Sequence, residues 1–167
     1  MATAAHAIGG TVDYFLKLDG IQGESMDSAH RGDIQLLSWS FGATQGGTAS
    51  IGGGSGAGKV QAEDFHFVKF VDKATPKLLL ACANGEHIPK GTLFARKAGK
   101  EQQEYLKITL SDLLVSGYHT SGNGQLPVEE ISINFGKIEV EYKEQKQDGS
   151  LAGVVKSGYD LKQNKAL

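Results

Sequence analysis

A run of seventeen residues, 42–58, contains eight of the 23 glycines in the chain and leads directly into Lys59. Glycine at this density opposes both helix and strand, because glycine loses more conformational freedom on folding than any other residue. The run therefore separates two parts of the chain that must each supply regular structure. Two kinds of segment fit it: a phosphate-binding loop, or a long mobile arm between two strands that contacts a partner.

The phosphate-loop interpretation depends on Gly53, Gly58 and Lys59, which match most of the pattern G-x-x-x-x-G-K-[ST]. Val60 stands where a hydroxyl side chain would hold a magnesium ion. A phosphate loop also needs a following helix, whereas residues 60–71 are rich in aromatic and β-branched side chains and predict a strand. The pattern favours the arm, and a nucleotide-binding protein that uses this imperfect loop is the alternative from a different functional class.

Length and composition indicate a single domain over residues 1–167, with residues 1–10 as a flexible N-terminal extension. The net charge of −2, with acids and lysines interspersed, argues against a nucleic-acid surface. No stretch approaches the roughly 18 apolar residues of a membrane span, and we expect no membrane insertion. The N-terminal residues lack the basic and apolar regions of a conventional signal peptide. Cys82 is the only cysteine, which excludes an intrachain disulfide and a cysteine-based zinc site.

Strand patterns dominate the rest of the chain. Residues 12–18 alternate, with the apolar side chains Val12, Tyr14, Leu16 and Leu18 on one face. In residues 33–41 the parity of the apolar positions changes midway, as in a bulged or bent strand. A similar change across Gly136 predicts a bulge there. Further strands are predicted at 91–97, 104–114 (continuing towards Tyr118), 128–143 and, in the tail, 156–162, with Tyr159 and Leu161 on one face.

One helix is predicted after residue 74. Thr75 is suited to cap it, Pro76 fits its first turn, and Gly85 is placed to end it in a left-handed conformation. A helix this short needs to pack on a sheet, and the side chains predicted to do so are Leu78, Leu79 and Cys82. The predicted fold class is mainly β: an antiparallel β-barrel or sandwich with one short α-helix and a long glycine-rich loop.

No catalytic or metal-binding arrangement emerges from the polar residues. The five histidines show no close ligand spacing, and His66 points away from both neighbouring phenylalanines, as expected of a surface side chain. Cys82 lies in a segment predicted to be core, where a buried thiol is ordinary. The adjacent pairs Glu63-Asp64 and Glu129-Glu130 point to opposite faces of their strands, so solvated charge explains them. We therefore predict a protein without catalytic activity, cofactor or metal.

A binding or assembly role fits the chain better. Polar side chains at alternate strand positions could form one wide hydrated face, although plain solvent exposure also explains them; they are Ser38, Ser40, Lys107, Thr109, Glu139 and Glu141. The glycine-rich arm is costly to order, so we expect it to become fixed when it docks against a partner.

Six stretches, in order along the chain, carry a resemblance to the Hcp family, the tube-forming proteins of bacterial type VI secretion systems. They are DYFLKLDGIQGES (13–25), IQLLSWSFG (34–42), GGGSGAGKV (52–60), FVKFVDKATPKL (67–78), YLKITL (105–110) and YDLKQN (159–164). The resemblance implies a β-barrel subunit that forms a homo-hexameric ring. Rings of this family stack into a tube that is exported by the secretion apparatus and carries effector proteins in its lumen.

The same resemblance implies further partners and a location. The partners are other rings, effectors, and the sheath and spike proteins of the apparatus. The location is the bacterial cytoplasm before firing and the exterior afterwards. A phage-like tail-tube protein is the alternative within the same class, and a soluble β-barrel lectin or carrier is a third possibility.

Two regions match functional positions of the family. Ser40 matches a lumen-facing serine implicated in cargo contact. The arm matches a loop that reaches the adjacent ring, and its expected ring-stacking residues are Gly42, Thr44, Gln45, Gly46, Gly47, Ile51, Gly52, Gly53, Gly54, Ser55 and Gly56.

Overall fold

Antiparallel strands make up most of the fold in the computed structural model, which describes residues 12–47, 59–97 and 102–167. The predicted N-terminal extension, residues 1–10, lies outside the described residues. In chain order the elements are β1 (Val12–Leu18), β2 (Ile34–Leu36), β3 (Ser38–Ser40), β4 (Ala43–Gln45), β5 (Val60–Ala62), β6 (Phe65–Phe70), α1 (Thr75–Asn84), β7 (His87–Lys97), β8 (Glu104–Ser121), β9 (Val128–Asn134), β10 (Lys137–Gln145), β11 (Leu151–Asp160) and β12 (Lys165–Ala166).

The 18-residue strand β8 belongs to both halves of one folded sheet. Its first half pairs with β7 and β10, within the strand order β12-β11-β10-β8-β7-β1-β2. Its second half pairs with β9, which pairs with β6, which pairs with β3. The two halves face each other across the core, as in a sandwich, and the predicted mainly β antiparallel fold is confirmed.

The strands break where the alternation of apolar residues along the sequence changes from odd to even positions or the reverse. Leu37 separates β2, which pairs with β1, from β3, which pairs with β6, and its N–H donates to the Val68 oxygen at 2.8 Å. The chain thus bends from one half of the sheet to the other at this residue, as the parity change predicted. Because β2 and β3 are separate strands, the hydrogen-bonded ladder does not close into a barrel.

At Gly136 the structure shows a break between β9 and β10 rather than the predicted bulge. The Gly136 N–H donates to the Ser111 oxygen at 2.9 Å, and a Cβ at Gly136 would lie 3.2 Å from the Asp112 side chain. Asp112 itself has a φ of 57°, so both strands turn sharply at this corner. The chain changes its pairing partners here, which a bulge within a single ladder would not achieve.

Other strand limits also differ from the predictions. The strand after the glycine run is split into β5 and β6 at residues 63–64, and β7 and β8 are longer than predicted. The last long strand, β11, starts at Leu151 and ends at Asp160, so Leu161 lies in the following turn rather than in the strand.

The helix has the predicted end but a different beginning. Gly85 has a φ of 67° and donates its N–H to the Ala81 oxygen at 3.1 Å, a left-handed ending that glycine tolerates. The predicted Thr75 cap is wrong, because Thr75 is already helical. Its hydroxyl accepts the Asp72 N–H at 3.1 Å, while Asp72 accepts the Ala74 N–H at 2.9 Å. Asp72 therefore organises the turn that leads into the helix.

The buried face of α1 was only partly predicted. Leu78 and Ala81 are fully buried and Cys82 is half-buried against the core, whereas Leu79 is 51% exposed. Ala81 lies three residues after Leu78, so the pair forms the stripe that packs on the sheet, and Leu79 points away from it.

The core lies between the two halves of the sheet. In β1, Leu16 and Leu18 are buried as the alternation predicted, but Phe15, of opposite parity, is buried as well. It is covered on the outer side of the sheet by the segment between β1 and β2, whose His30 ring stacks on the Phe15 ring at 4.4 Å. The other large core side chains include Ile34, Leu36, Phe65, Phe67, Leu93, Ile108, Leu110, Leu113, Ile131 and Ile133.

A fully buried ion pair joins two neighbouring strands. Lys69 of β6 lies opposite Glu129 of β9, both have no exposed side-chain surface, and their charged atoms are 2.5 Å apart. Lys69 also contacts the Asp72 carboxylate at 2.8 Å, and Tyr118 donates to Glu129 at 2.5 Å. The expectation that Glu129 is solvated is therefore wrong, although its neighbour Glu130 is exposed. Burying two charges is tolerated because each finds several partners.

Replacement of Lys69 tests how much the fold depends on this pair. In Lys69→Met the Glu129 carboxylate stays buried without its cation, and we expect the free energy of unfolding to fall by about 3–5 kcal/mol. Urea denaturation measures the change. As a control, Lys73→Met alters an exposed lysine nearby and should change stability by less than about 0.5 kcal/mol. Equal stability of the two variants would contradict the assigned role.

Candidate functional site

The outward side of strands β3, β6, β9 and the second half of β8 is mainly polar, with the half-buried Val68 between Ser38 and Glu130. Register places Ser40 opposite His66, and His66 opposite Ser132. These positions alternate with buried ones such as Phe65 and Phe67, so they point away from the core, and the outward orientation predicted for His66 is confirmed. We call this surface the polar sheet face; its residues are Ser38, Ser40, His66, His119, Glu130 and Ser132.

The other residues of the predicted wide face lie on the other half of the sheet. Thr109 is opposite Glu139 and Lys107 is opposite Glu141 on β8 and β10. Lys107 forms an ion pair with Glu141 at 3.3 Å, and Lys156 of β11 lies 3.3 Å from Glu139. Thr109 is buried rather than hydrated. Within one chain, the predicted single face is therefore two faces on the two halves of the sandwich.

The glycine-rich arm has a stem of two short strands. β4 and β5 pair as a separate ribbon, from Ala43 opposite Ala62 to Gln45 opposite Val60, and all three residues of β4 are exposed. The Glu63 N–H donates to the Gly42 oxygen at 2.8 Å, which joins the ribbon to the sheet. The ribbon prolongs β3 and β6 beyond the sandwich.

The predicted ring-stacking residues divide between the stem and the part beyond it. Gly42 is half-buried at the start of the stem, and Thr44, Gln45, Gly46 and Gly47 are exposed. The remaining six lie outside the described residues: Ile51, Gly52, Gly53, Gly54, Ser55 and Gly56.

The structure after the arm does not suit a phosphate loop. Lys59 is followed at once by β5 and β6, and the first helix after it begins only at Thr75. A phosphate loop requires a helix whose N-terminal amides face the phosphates. The strand predicted after Lys59 is confirmed, which removes the main structural support for nucleotide binding.

A hydrogen-bond cluster fixes the base of the stem. Asp64 accepts the Ser116 hydroxyl at 2.5 Å and the Asn134 side-chain amide at 3.0 Å, and Ser116 also bonds to Ser132 at 3.0 Å. Gly117 allows this approach, because a Cβ there would lie 2.5 Å from the Ser132 hydroxyl. Sequence reasoning treated Asp64 as a solvated charge because its partners are 52 and 70 residues away.

A second cluster of charged and titratable side chains, besides that of Lys69 and Glu129, lies beneath the segment between β1 and β2. The two nitrogens of His30 lie 2.9 Å from the carboxylates of Asp33 and Glu104. Arg96 binds Asp27 through two hydrogen bonds of 2.9 and 2.5 Å and lies over the Phe15 ring. These contacts attach the segment to the outer side of the sheet, so we interpret the cluster as a clamp.

Protonation within the clamp follows from these contacts. Hydrogen bonding to Arg96 lowers the pKa of Asp27 from 3.8 to about 2. The N–H groups of Ala29 and His30 lower this pKa further, and burial opposes the shift.

Tyr118 lies outside the clamp, against the buried Glu129. Burial, together with Glu129, raises the pKa of Tyr118 to about 12, so its hydroxyl stays a hydrogen-bond donor at neutral pH. Among residues 12–47, 59–97 and 102–167, no cluster of three or more potential metal ligands occurs.

Comparison with known proteins identifies the family. Residues 15–142 match the family model described as type VI secretion system effector, Hcp. The chain belongs to the Hcp family. It is 45% identical over 157 residues to the protein Hcp1 of Pseudomonas aeruginosa, which covers 92% of this chain and 97% of that protein.

Solved Hcp structures share the fold. The crystal structure of Hcp1 from Salmonella typhimurium has a TM-score of 0.81 at 37% identity and covers 95% of this chain and 100% of its own. A type VI secretion system effector from Yersinia pestis has a TM-score of 0.73 at 34% identity, with 89% and 99% coverage. Family membership places the chain in type VI secretion as a secreted tube protein, rather than in a phage particle or among nucleotide-binding proteins. The one helix of the described residues is ten residues long, too short to cross a membrane.

The clamp gives the protein a defined response to acid. Because the pKa of Asp27 is lower in the folded chain than its ordinary 3.8, the pair stabilises the fold fully above about pH 4 and loses its effect as the pH falls towards 2. Asp27→Asn should therefore lower the free energy of unfolding by about 2 kcal/mol at pH 7 and by much less at pH 2. Urea denaturation across this range measures the difference. Asp19→Asn, at an exposed turn, is the control, and a constant difference at every pH would contradict the assignment.

Proposed function

We propose that the chain is the structural subunit of the secretion tube, which forms six-membered rings, stacks them through the glycine-rich arm and carries effector proteins in the lumen. The polar sheet face carries this proposal. It is a broad outward surface of hydroxyl and imidazole groups with one carboxylate, Glu130, and with the half-buried Val68 among them, on the side of the sheet opposite the core. Such a mainly polar surface can hydrogen-bond to many proteins while offering little of the apolar area that would bind them tightly or unfold them.

Ser40 lies at the edge of this face, exposed and beside His66 in the register. In the proposed ring it contacts cargo, as the family resemblance implies. The first strand of the arm stem begins three residues later, at Ala43, so the proposed lumen wall and the proposed stacking contact are parts of one hairpin, β3–β4 with β5–β6. Cargo contact at Ser40 and ring stacking at the arm then occur close together.

The proposed partners follow from this arrangement. They are five further copies in a ring, other rings above and below, effectors inside, and the sheath and spike proteins of the apparatus. The subunit resides in the bacterial cytoplasm before firing and leaves through the apparatus. In this proposal the tube contributes to secretion by binding and enclosing effector proteins, so we propose no catalysis.

Ring formation is the first test. Negative-stain electron microscopy of the purified chain should show six-fold rings, and light scattering should give a mass about six times that of the 17.7 kDa chain. A monomer that persists across the micromolar range would exclude the proposal.

Shortening the arm tests its role in stacking. The strands of the stem pair Gln45 with Val60, so replacement of residues 46–59 by Asn-Gly closes the ribbon with a two-residue turn. We expect folded rings that no longer stack into tubes, because the reach between rings is lost. Tube length in electron micrographs at high protein concentration is the measurement. In a second variant, a Gly/Ser stretch of the original length replaces residues 46–59, which separates the effect of the arm's length from that of its sequence. Unchanged tubes in the Asn-Gly variant would exclude the stacking role.

A further inference from the structure

The strands that carry the polar sheet face have no cation at their surface. In β3, β6, β9 and residues 116–121 of β8, the one lysine or arginine is Lys69, and its side chain is fully buried. The outward side of the same strands carries the carboxylate of Glu130, and Asp64 adds a second one immediately before β6. Apart from two imidazoles, the charge on this side of the sheet is therefore acidic.

Lysines of the other half of the sandwich are paired with acids on its surface. Lys107 lies 3.3 Å from Glu141, and Lys156 lies 3.3 Å from Glu139. Opposite charges thus lie side by side on that half and offset one another. The whole chain is nearly neutral, with 17 Lys and Arg against 19 Asp and Glu. The acidic character of the polar sheet face therefore comes from the way the fold distributes the charges, not from the composition.

Glu130 is the free carboxylate of the polar sheet face. It is exposed, and the register places it between Val68 of β6 and His119 of β8. Among the described residues, no ion pair or hydrogen bond engages its side chain. Asp64, by contrast, accepts two side-chain hydrogen bonds at the base of the stem. The charge of Glu130 is therefore available to a molecule that lies on this face.

Six copies of this face around one lumen would act together. A concave surface lined by charges of one sign concentrates molecules of the opposite charge and repels those of the same sign. A single exposed ion pair contributes little to binding, but six equivalent carboxylates can contact one enclosed polypeptide at several points. The preference for cationic molecules then grows with the number of contacts that form at once.

We propose that Glu130 selects the cargo by charge, so that the tube accepts effectors that present lysine and arginine side chains and excludes acidic ones. This inference rests on the proposed function, because it requires the polar sheet face to line the lumen. The exposed hydroxyls of Ser38 and Ser40 can hydrogen-bond to a polypeptide of either charge. Glu130 adds the preference for one sign, so that binding and selection are carried by different residues of one face.

Two model peptides test the charge preference of the parent rings. They are short, fluorescently labelled Gly/Ser peptides that carry either lysines or glutamates at the same positions. At about pH 8.5, above the range in which imidazole ordinarily titrates, and at low salt, the lysine peptide should bind at least about tenfold more tightly. An ionic strength of about 0.5 M should largely remove the difference, because salt screens exposed charges. Fluorescence anisotropy measures both affinities, and equal affinities at low salt would overturn the proposal.

Substitution of Glu130 assigns the preference to one residue. Glu130→Gln removes the charge at nearly constant size, and we expect the preference for the lysine peptide to fall at least about fivefold in rings that sedimentation velocity shows to be intact. Glu130→Lys should reverse the preference. Glu24→Gln removes an exposed carboxylate from the segment between β1 and β2, on the other half of the sandwich, and should behave like the parent chain. An unchanged preference in Glu130→Gln would overturn the assignment.

Photocrosslinking locates the bound peptide. A lysine peptide with a photoreactive phenylalanine analogue should label residues 38–40, 64–70, 116–121 or 128–134, which mass spectrometry of the digested rings identifies. Labels confined to the other half of the sandwich would overturn the proposal. Rings that enclose cargo without regard to its charge would also overturn the selection by Glu130 and leave the proposed function intact. Failure of the parent chain to form any ring would overturn both.

Discussion

The buried contact between Lys69 and Glu129 sets the register of the strands that carry the candidate site. A slip of β9 by one residue against β6 would turn Glu129 and Ile131 to the outward side and leave Lys69 buried without its partner. Either charge alone would be too costly to bury, so only the observed register satisfies both. Tyr118 extends the constraint to β8 and Asp72 extends it to the start of α1. The positions of Ser40 and the arm stem follow from this register, because β3 pairs with β6.

The other half of the sandwich is held by different means. Its outer side is covered by the segment between β1 and β2, which the clamp of His30 and Arg96 attaches through Asp27, Asp33 and Glu104. Phe15 thereby becomes buried on the side opposite the main core. The part of this half around Phe15 is thus covered on both sides, while β3, β6 and β9 keep an uncovered side available to partners. This asymmetry distinguishes the surface proposed to face cargo from one that only supports the fold.

Local sequence signals predicted the local features well. The alternation in β1, the bend near Leu37, the strand after Lys59 and the end of the helix at Gly85 all follow from contacts or conformations within a few residues. The errors have long-range causes. Glu129 was taken as solvated because Lys69 is 60 residues away, and Arg96 was not singled out because Asp27 is 69 residues away. Leu79 was assigned to the core because a short apolar helix does not show from sequence alone which face meets the sheet. Ser40 was selected through the family resemblance; the structure shows that its side chain is exposed, and its contact with cargo stays a prediction.

Strand β8 has a mechanical consequence. Its 18 residues run through both halves of the sandwich as one continuous strand that bends at Asp112. Where two halves of a protein meet only through packed side chains, a shearing force can slide one across the other. Here a force on one half is passed to the other along covalent bonds, and separation would require the ladders with β7, β9 and β10 to rupture together. The subunit should therefore behave as a single stiff element under load.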